Sequence, residues 1–434
     1  MARSTLRRRG APIVLLAALG AVVLPGTGVA PAAPGGPVRA SASASERALP
    51  GQLRAAMRSA GGASGAYVVN ATTGRTVFRS APMRPRILAS NTKLFTTAAA
   101  LARFGTDARL STNVRGKGVL GTDGTYSGSL YLVGGGDPTF GSTSFTQRAY
   151  GAGATAEDLA AKLREIGIER VTGRIYGDES RFDARRGGPD SGFSTSIFVG
   201  PLSALSYNRG LVSESGRGGF QSNPPASAAA ALHRALERRG IRVAGAPRAA
   251  RAPSDSDLLA IVRSPTMERL AALTNKPSDN FFAETLVKDL SMQANGRGTT
   301  AGGTRIAAGF ARRLGAAPAG LADGSGLSRG NRAAPQRVVG LLLALRERDE
   351  YRAFYRSLAI AGRDGTLASR MRSGPARSRC RGKTGTISGV SALSGYCRAL
   401  SGETYAFSIL HNSVNSFTAR AAQDRMAQAI AGVR

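Results

Sequence analysis

Apolar residues recur with helical spacing over residues 45–60. The chain then switches to short apolar runs at 66–70 and 75–80, divided by a turn at 71–74, which predicts a β-hairpin. A second helix is expected from Ser90, with Leu94, Ala98 and Leu101 on one face and Gly105 as its stop. Between about 110 and 260 the texture changes to brief strand-like runs, such as 129–133 and 170–176, broken by Gly-rich turns, with helices near 157–166 and 226–239. Helical periodicity dominates from 266 to 345, with segments at 267–275 and 281–292. Strands return at 381–387, 391–398 and 403–411, and a last helix covers 416–431. Helix–strand alternation at both ends around a differently textured middle predicts one α/β (α+β) domain, residues 45–109 and 262–434, interrupted by an inserted strand-rich region at 110–261.

The extreme N-terminus reads differently from the rest. Arg3, Arg7, Arg8 and Arg9 precede an uncharged apolar run at 11–24, then Pro25, Gly26 and a series of small residues. That order predicts a secretory signal peptide and linker over residues 1–44, cleaved between about 30 and 44. The apolar run is shorter than the roughly 20 residues that a spanning helix needs, so no integral membrane segment is expected after cleavage. With no cysteine near the cleavage region, a lipid-modified N-terminus is excluded. The expected location is extracytoplasmic: the periplasmic space, the cell wall or the medium.

Composition narrows the chemistry. Two histidines and two cysteines leave too few ligands for an iron–sulfur centre, a Cys-based zinc site or an imidazole cluster, so neither metal nor cofactor is expected. A formal charge of +32 suggests nucleic acid at first sight. The charge is dispersed, however, and only 6% of residues are aromatic, so the stacking platforms of a nucleic-acid binder are missing. Removing residues 1–44 takes away five arginines and no acid, leaving +27 on an exported surface, which reads either as an Arg-biased, solvated basic surface or as an attraction to anionic cell-wall polymers. Of the 59 basic residues only six are lysines, and a lysine in so Arg-biased a chain points to a site needing a base, which Arg cannot be.

One such lysine is Lys93, in Ser90-Asn91-Thr92-Lys93. Ser and Lys three apart on a helix share a face, which gives a serine nucleophile an amine as its base where no histidine serves. Ser278-Asp279-Asn280 comes next, between two helical segments, and Lys383-Thr384-Gly385 opens a strand near the C-terminus. Each motif alone also reads as structure: a helix cap, a capping loop, an ordinary strand. The ordered set Ser-x-x-Lys, Ser-x-Asn, Lys-Thr-Gly is a signature with one mechanism behind it.

With these motifs, and with Gly134-Gly135-Gly136-Asp137-Pro138, Asp323-Gly324-Ser325-Gly326-Leu327-Ser328 and Gly382-Lys383-Thr384-Gly385-Thr386, the chain resembles the D-alanyl-D-alanine carboxypeptidase/endopeptidase family. These are low-molecular-mass penicillin-binding proteins with a large insertion between the first and second motifs. The resemblance implies a penicillin-binding-protein/β-lactamase-like fold, an antiparallel sheet flanked by helices with a helical subdomain. It also implies peptidoglycan stem peptides as substrates and β-lactams as acylating mimics. Ser90 would be the nucleophile, Lys93 its base, Ser278 the proton relay and Asn280 the group that holds Lys93. Lys383 and Thr384 would receive the substrate carboxylate or shape the local field, Gly385 would leave the strand edge bare, and Thr386 would join Ser90 in the oxyanion hole. Asp137 resembles a family position near the mouth of the site, where it would read the amine of a diamino acid, and it equally fits an Asp-Pro turn.

Other readings fare less well. A class A β-lactamase needs a Glu-x-x-Leu-Asn loop, and no Leu-Asn pair occurs in the chain. Gly326-Leu327-Ser328-Arg329-Gly330 matches the nucleophile elbow of α/β-hydrolases, with Asp364 and His411 in order, but no apolar strand leads into it and Pro335 interrupts the next segment. A non-enzymatic wall-binding module rests on the charge alone. His233 and His411 are assigned to structure. If the last hairpin turns at Ser388-Gly389, residue 387 faces 390 and Cys380 faces Cys397, a geometry for a cross-strand disulfide.

Overall fold

A computed structural model describes residues 42–434; the N-terminal signal and most of the linker expected from the sequence lie outside the described residues. The strands are β1 (Ala63–Asn70), β2 (Thr76–Ser80), β3 (Arg86–Ile87), β4 (Ser111–Leu120), β5 (Thr125–Gly134), β6 (Arg170–Asp178), β7 (Arg242–Ala249) and β8 (Asp257–Arg263). They continue with β9 (Arg332–Ala333), β10 (Ala359–Ile360), β11 (Cys380–Ile387), β12 (Val390–Arg398) and β13 (Thr404–Asn412). The helices are α1 (Ala44–Ala60), α2 (Thr92–Phe104), α3 (Thr143–Tyr150), α4 (Ala156–Glu165), α5 (Pro224–Arg238), α6 (Met267–Asn275), α7 (Asn280–Asn295), α8 (Thr300–Arg313), α9 (Pro335–Leu345), α10 (Tyr351–Ser357) and α11 (Ser416–Ala431). No helix of the described residues is long and apolar enough to cross a membrane.

A six-stranded antiparallel sheet in the order β10-β11-β12-β13-β1-β2 joins the two ends of the chain. Its central strands are buried on both faces, and the period-2 alternation divides their side chains between two cores. Leu393, Tyr405, Phe407 and Ile409 pack with Leu49, Leu53 and Met57 of α1 and Met426 and Ile430 of α11. Ala392, Tyr396, Ala406 and Leu410 face the opposite core, with Leu94 and Phe95 of α2, Phe281 and Leu286 of α7, and Leu341 and Leu342 of α9. The second core holds the helical half of the molecule, and α2 is buried through most of its length within it. Helices on both faces explain why β12 and β13 are buried along nearly their whole length rather than half-exposed in alternation.

A second sheet, β7-β6-β5-β4-β8, draws all five strands from residues 111–263 and has its own core, with Leu130, Leu132, Ile175, Leu159 and Leu232 among its members. Its β4–β5 and β4–β8 pairs are antiparallel, whereas β5–β6 and β6–β7 are parallel, the crossovers carrying α4 and α5.

Two local expectations change. The helix expected from Ser90 begins at Thr92, because Ala89–Asn91 forms a tighter 3₁₀ turn entered from Ala89 at φ 45°. The long helical stretch after 266 is broken between α8 and α9 by an irregular segment that includes Asp323–Ser328, which the periodicity of its flanks hides.

The last hairpin has the register expected of it: Ile387 faces Val390, and Cys380 faces and is bonded to Cys397. The bridge closes a separation of 17 residues in a buried corner of the sheet. Closing a loop of that size removes about 3 kcal/mol of unfolded-state entropy. The double variant Cys380→Ala/Cys397→Ala is therefore expected to lose stability of about that size, read as a lower urea midpoint.

Candidate active site

Ser90 sits in the 3₁₀ turn that leads into α2, so Lys93 follows it almost one helical turn later on the same side. Lys93 Nζ donates to Ser90 Oγ at 3.0 Å, to Asn280 Oδ1 at 2.7 Å and to the Ser325 carbonyl at 2.6 Å. Three acceptors satisfy three ammonium donors, and the side chain is fully buried. Burial disfavours its cation and brings its pKa down to about 8, against the pull of the Asp323, Glu284 and Asp279 carboxylates, which favour the charge.

Asp279 caps α7 by accepting from Phe282 N at 3.0 Å, and it is ion-paired with Arg209. This pins the start of α7, so that Asn280 reaches Lys93 with its oxygen while its amide nitrogen donates to the Phe198 carbonyl at 3.1 Å. Ser278, immediately before, is held at φ 64°, a left-handed conformation that costs a non-glycine residue about 1 kcal/mol or more. It lines the same cleft as Ser90.

The third wall is β11. Its pairing with β10 covers only Arg381 and Gly382, so among the described residues the edge from Lys383 onward has no neighbouring strand on that side. A Cβ at Gly385 would lie 2.9 Å from the Leu88 carbonyl and 3.0 Å from Ser90 N, so only glycine lets this strand run so close to the backbone of Ser90. Asn91 Nδ2 ties the two together by donating to the Lys383 carbonyl at 3.0 Å. Lys383 is fully buried and donates to the Thr384 carbonyl at 2.9 Å; burial first, and the nearby Lys93 second, push its pKa well below the usual lysine range. Thr384 Oγ1 meets Thr366 Oγ1 at 2.7 Å. The cleft, of about 630 Å³, is lined by Ser90, Ser278, Thr384, Gly385 and Thr386 together with Phe417 and Arg420 of α11.

Sequence reasoning missed the support beneath Lys93. Glu284, buried in α7, accepts backbone N–H bonds from Gly324 at 3.1 Å and Ser325 at 2.8 Å. Asp323 accepts from Gly326 N at 2.7 Å, Ser328 N at 2.6 Å and Asn331 Nδ2 at 2.8 Å. Gly326, at φ 93°, brings this loop onto Ala89, whose carbonyl would lie 1.9 Å from any Cβ there. Two buried carboxylates thus fix the loop that offers its Ser325 carbonyl to Lys93. Burial, with Asp323 as the next contributor, raises the Glu284 pKa above the ordinary carboxylate range. The Gly, Ser and Asp residues of this segment were the available signal, but a backbone carbonyl leaves no mark in sequence.

Asp137 is not brought to the cleft. It is 3% exposed, accepts from Thr139 N at 2.8 Å and Thr139 Oγ1 at 2.7 Å, and lies beside the buried Asp289 of α7. Burial raises its own pKa to about 6. The elbow-like Ser328 is not joined to the acid and histidine that such an elbow requires: Asp364 pairs with Lys276, and the buried His411 holds Ser64 Oγ at 2.8 Å. Among the described residues no group of three or more His, Cys, Asp or Glu could hold a metal ion.

The D-Ala-D-Ala carboxypeptidase 3 (S13) family matches residues 52–218 and 219–433. The chain is 30% identical to a D-alanyl-D-alanine carboxypeptidase of Actinomadura sp. (strain R39), over 86% of this chain and 81% of that protein. It superposes on penicillin-binding protein 4 of Haemophilus influenzae with a TM-score of 0.73 at 22% identity, covering 87% of this chain and 97% of that one. A structure of that protein complexed with a β-lactam superposes at 0.70, with 20% identity and the same coverage.

Proposed function

We propose how this chain, which belongs to the D-Ala-D-Ala carboxypeptidase 3 (S13) family and is a serine-type D-Ala-D-Ala carboxypeptidase, performs its reaction on peptidoglycan stem peptides. The observation that carries the reading is the triple engagement of Lys93 Nζ by Ser90 Oγ, Asn280 Oδ1 and the Ser325 carbonyl. Neutral Lys93 takes the proton of Ser90 as Oγ attacks the carbonyl of the terminal peptide bond. The backbone N–H groups of Ser90 and Thr386 receive the developing oxyanion, at roughly 3 kcal/mol per donor. Ser278 passes a proton to the leaving nitrogen, the C–N bond breaks and D-Ala departs, leaving an ester on Ser90. Water, deprotonated by the same lysine, hydrolyses the ester and restores the hydroxyl.

Substrate lies along the free edge of β11 as an added strand, with Gly385 leaving room, and the Thr384 and Thr386 hydroxyls face its terminus. Lys383, buried behind them, sets the field. A β-lactam acylates Ser90 by the same attack, but its leaving nitrogen stays tethered in the opened ring. Residues 110–261 form an inserted unit, a division supported by the separate strand sets of the two sheets. The N-terminal pattern supports export to the compartment where peptidoglycan is exposed, and the basic surface supports contact with anionic wall polymers.

Defined muropeptides test the reading. Purified protein is expected to release D-Ala from monomeric pentapeptide stems and, as an endopeptidase, to open D-Ala cross-links. Chromatograms unchanged for both substrates would overturn it.

A further inference from the structure

The substrate of this cleft ends in a carboxylate, on the carbon that bears the leaving nitrogen and so close to Ser90. The lysines do not meet it. Lys93 is fully buried with its three donors engaged, and Lys383 is fully buried with its Nζ turned onto the Thr384 carbonyl. Two arginines line the cleft, Arg370 and Arg420. Arg370 is occupied: it donates to Asp424 Oδ1 from Nε at 3.0 Å and from Nη2 at 2.7 Å, and to Gln423 Oε1 at 3.2 Å. Asp424 is thereby neutralised. Arg420, one turn earlier on α11, is exposed, and its Nη2 donates to Thr386 Oγ1 at 3.1 Å. Thr384 and Thr386 are two apart on β11, so their side chains share a face. The guanidinium therefore lies across the end of the surface along which the substrate terminus runs, and the bond to Thr386 uses one of its five donors.

We propose that Arg420 is the carboxylate anchor of this cleft, acting with the Thr386 hydroxyl to select substrates that carry a carboxylate next to the scissile nitrogen. The inference rests on the reading of Ser90 as nucleophile. Arginine is well matched to this role, because its planar fork fits a carboxylate, stays charged at every working pH and loses little hydration on pairing. Phe417, one turn before Arg420 and 81% exposed at the same mouth, adds an apolar side wall where the terminal methyl group would lie.

The test compares an N-acylated tripeptide ending in D-Ala-D-Ala with its C-terminal amide, using wild type, Arg420→Gln and Arg420→Lys. Wild type is expected to prefer the acid by about 10- to 100-fold in kcat/KM, the worth of a charge-assisted hydrogen bond or two. Arg420→Gln should lose most of that preference through KM while cleaving the amide as wild type does, and Arg420→Lys should recover part of it. A variant that slows acid and amide alike would make Arg420 a prop for Thr386 and overturn the assignment. So would an unchanged acid preference in Arg420→Gln. A wild type that cleaves neither peptide and leaves Ser90 unlabelled by penicillin would instead overturn the reading of the whole site, and the anchor with it.

Discussion

Ser90→Ala is expected to abolish covalent labelling by a fluorescent penicillin and to lower peptide hydrolysis by about 10⁴-fold or more, while the thermal midpoint stays within a few degrees of wild type. The size comes from the chemistry. Without Oγ there is no ester intermediate, and only positioning and oxyanion stabilisation remain. The stability expectation comes from the structure, because Ser90 Oγ is a hydrogen-bond acceptor for Lys93 and caps no helix. Intact-mass spectrometry after penicillin treatment reads the result directly: one adduct on wild type and none on the variant. An adduct of full stoichiometry on Ser90→Ala would assign the nucleophile to another residue.

The fate of each sequence expectation has a physical reason. The three motifs were legible because their chemistry lies in side chains, at spacings that a helix turn and a strand edge impose: Lys93 reaches Ser90 across one turn, and Lys383-Thr384-Gly385 lies along β11. The Cys380–Cys397 pairing was legible because a tight hairpin fixes its own register. Non-local features were not. The parallel partners of β6 lie more than 40 residues away on either side, and no periodicity reports such pairing. Asp137 follows three glycines and precedes a proline, a pattern of an exposed turn. Its burial is decided by α7, which brings Asp289 so near that a Cβ on Gly136 would overlap its carboxylate, 1.8 Å from Oδ1. The role of Asp323–Ser328 was invisible for another reason: the group it contributes is a main-chain carbonyl, identical in every residue type, and its placement depends on a glutamate 41 positions earlier.

That placement matters for the second large effect. Lys93→Met is expected to reduce acylation by penicillin about 10³-fold, within the range for loss of a general base, and to remove the dependence on pH that wild type shows. In wild type the base must be the neutral amine. With its pKa brought down to about 8, roughly a tenth of Lys93 is neutral at pH 7, so the acylation rate should climb about tenfold through pH 8 and level off above 9. The sign follows from the burial of the ammonium: raising pH depletes the protonated form, which cannot accept the Ser90 proton. Three carboxylates, Asp323, Glu284 and Asp279, oppose the shift. Glu284→Gln removes one of them, so the limb should move to lower pH and the rate at pH 7 should rise, provided the Ser325 carbonyl stays in place. A merely structural glutamate would instead lower the rate at every pH and leave the limb where it was. Stopped-flow acylation between pH 5.5 and 9.5 on wild type, Glu284→Gln and Lys93→Met separates these outcomes. A limb near 8 that persists in Lys93→Met would sink the assignment of Lys93 as the base.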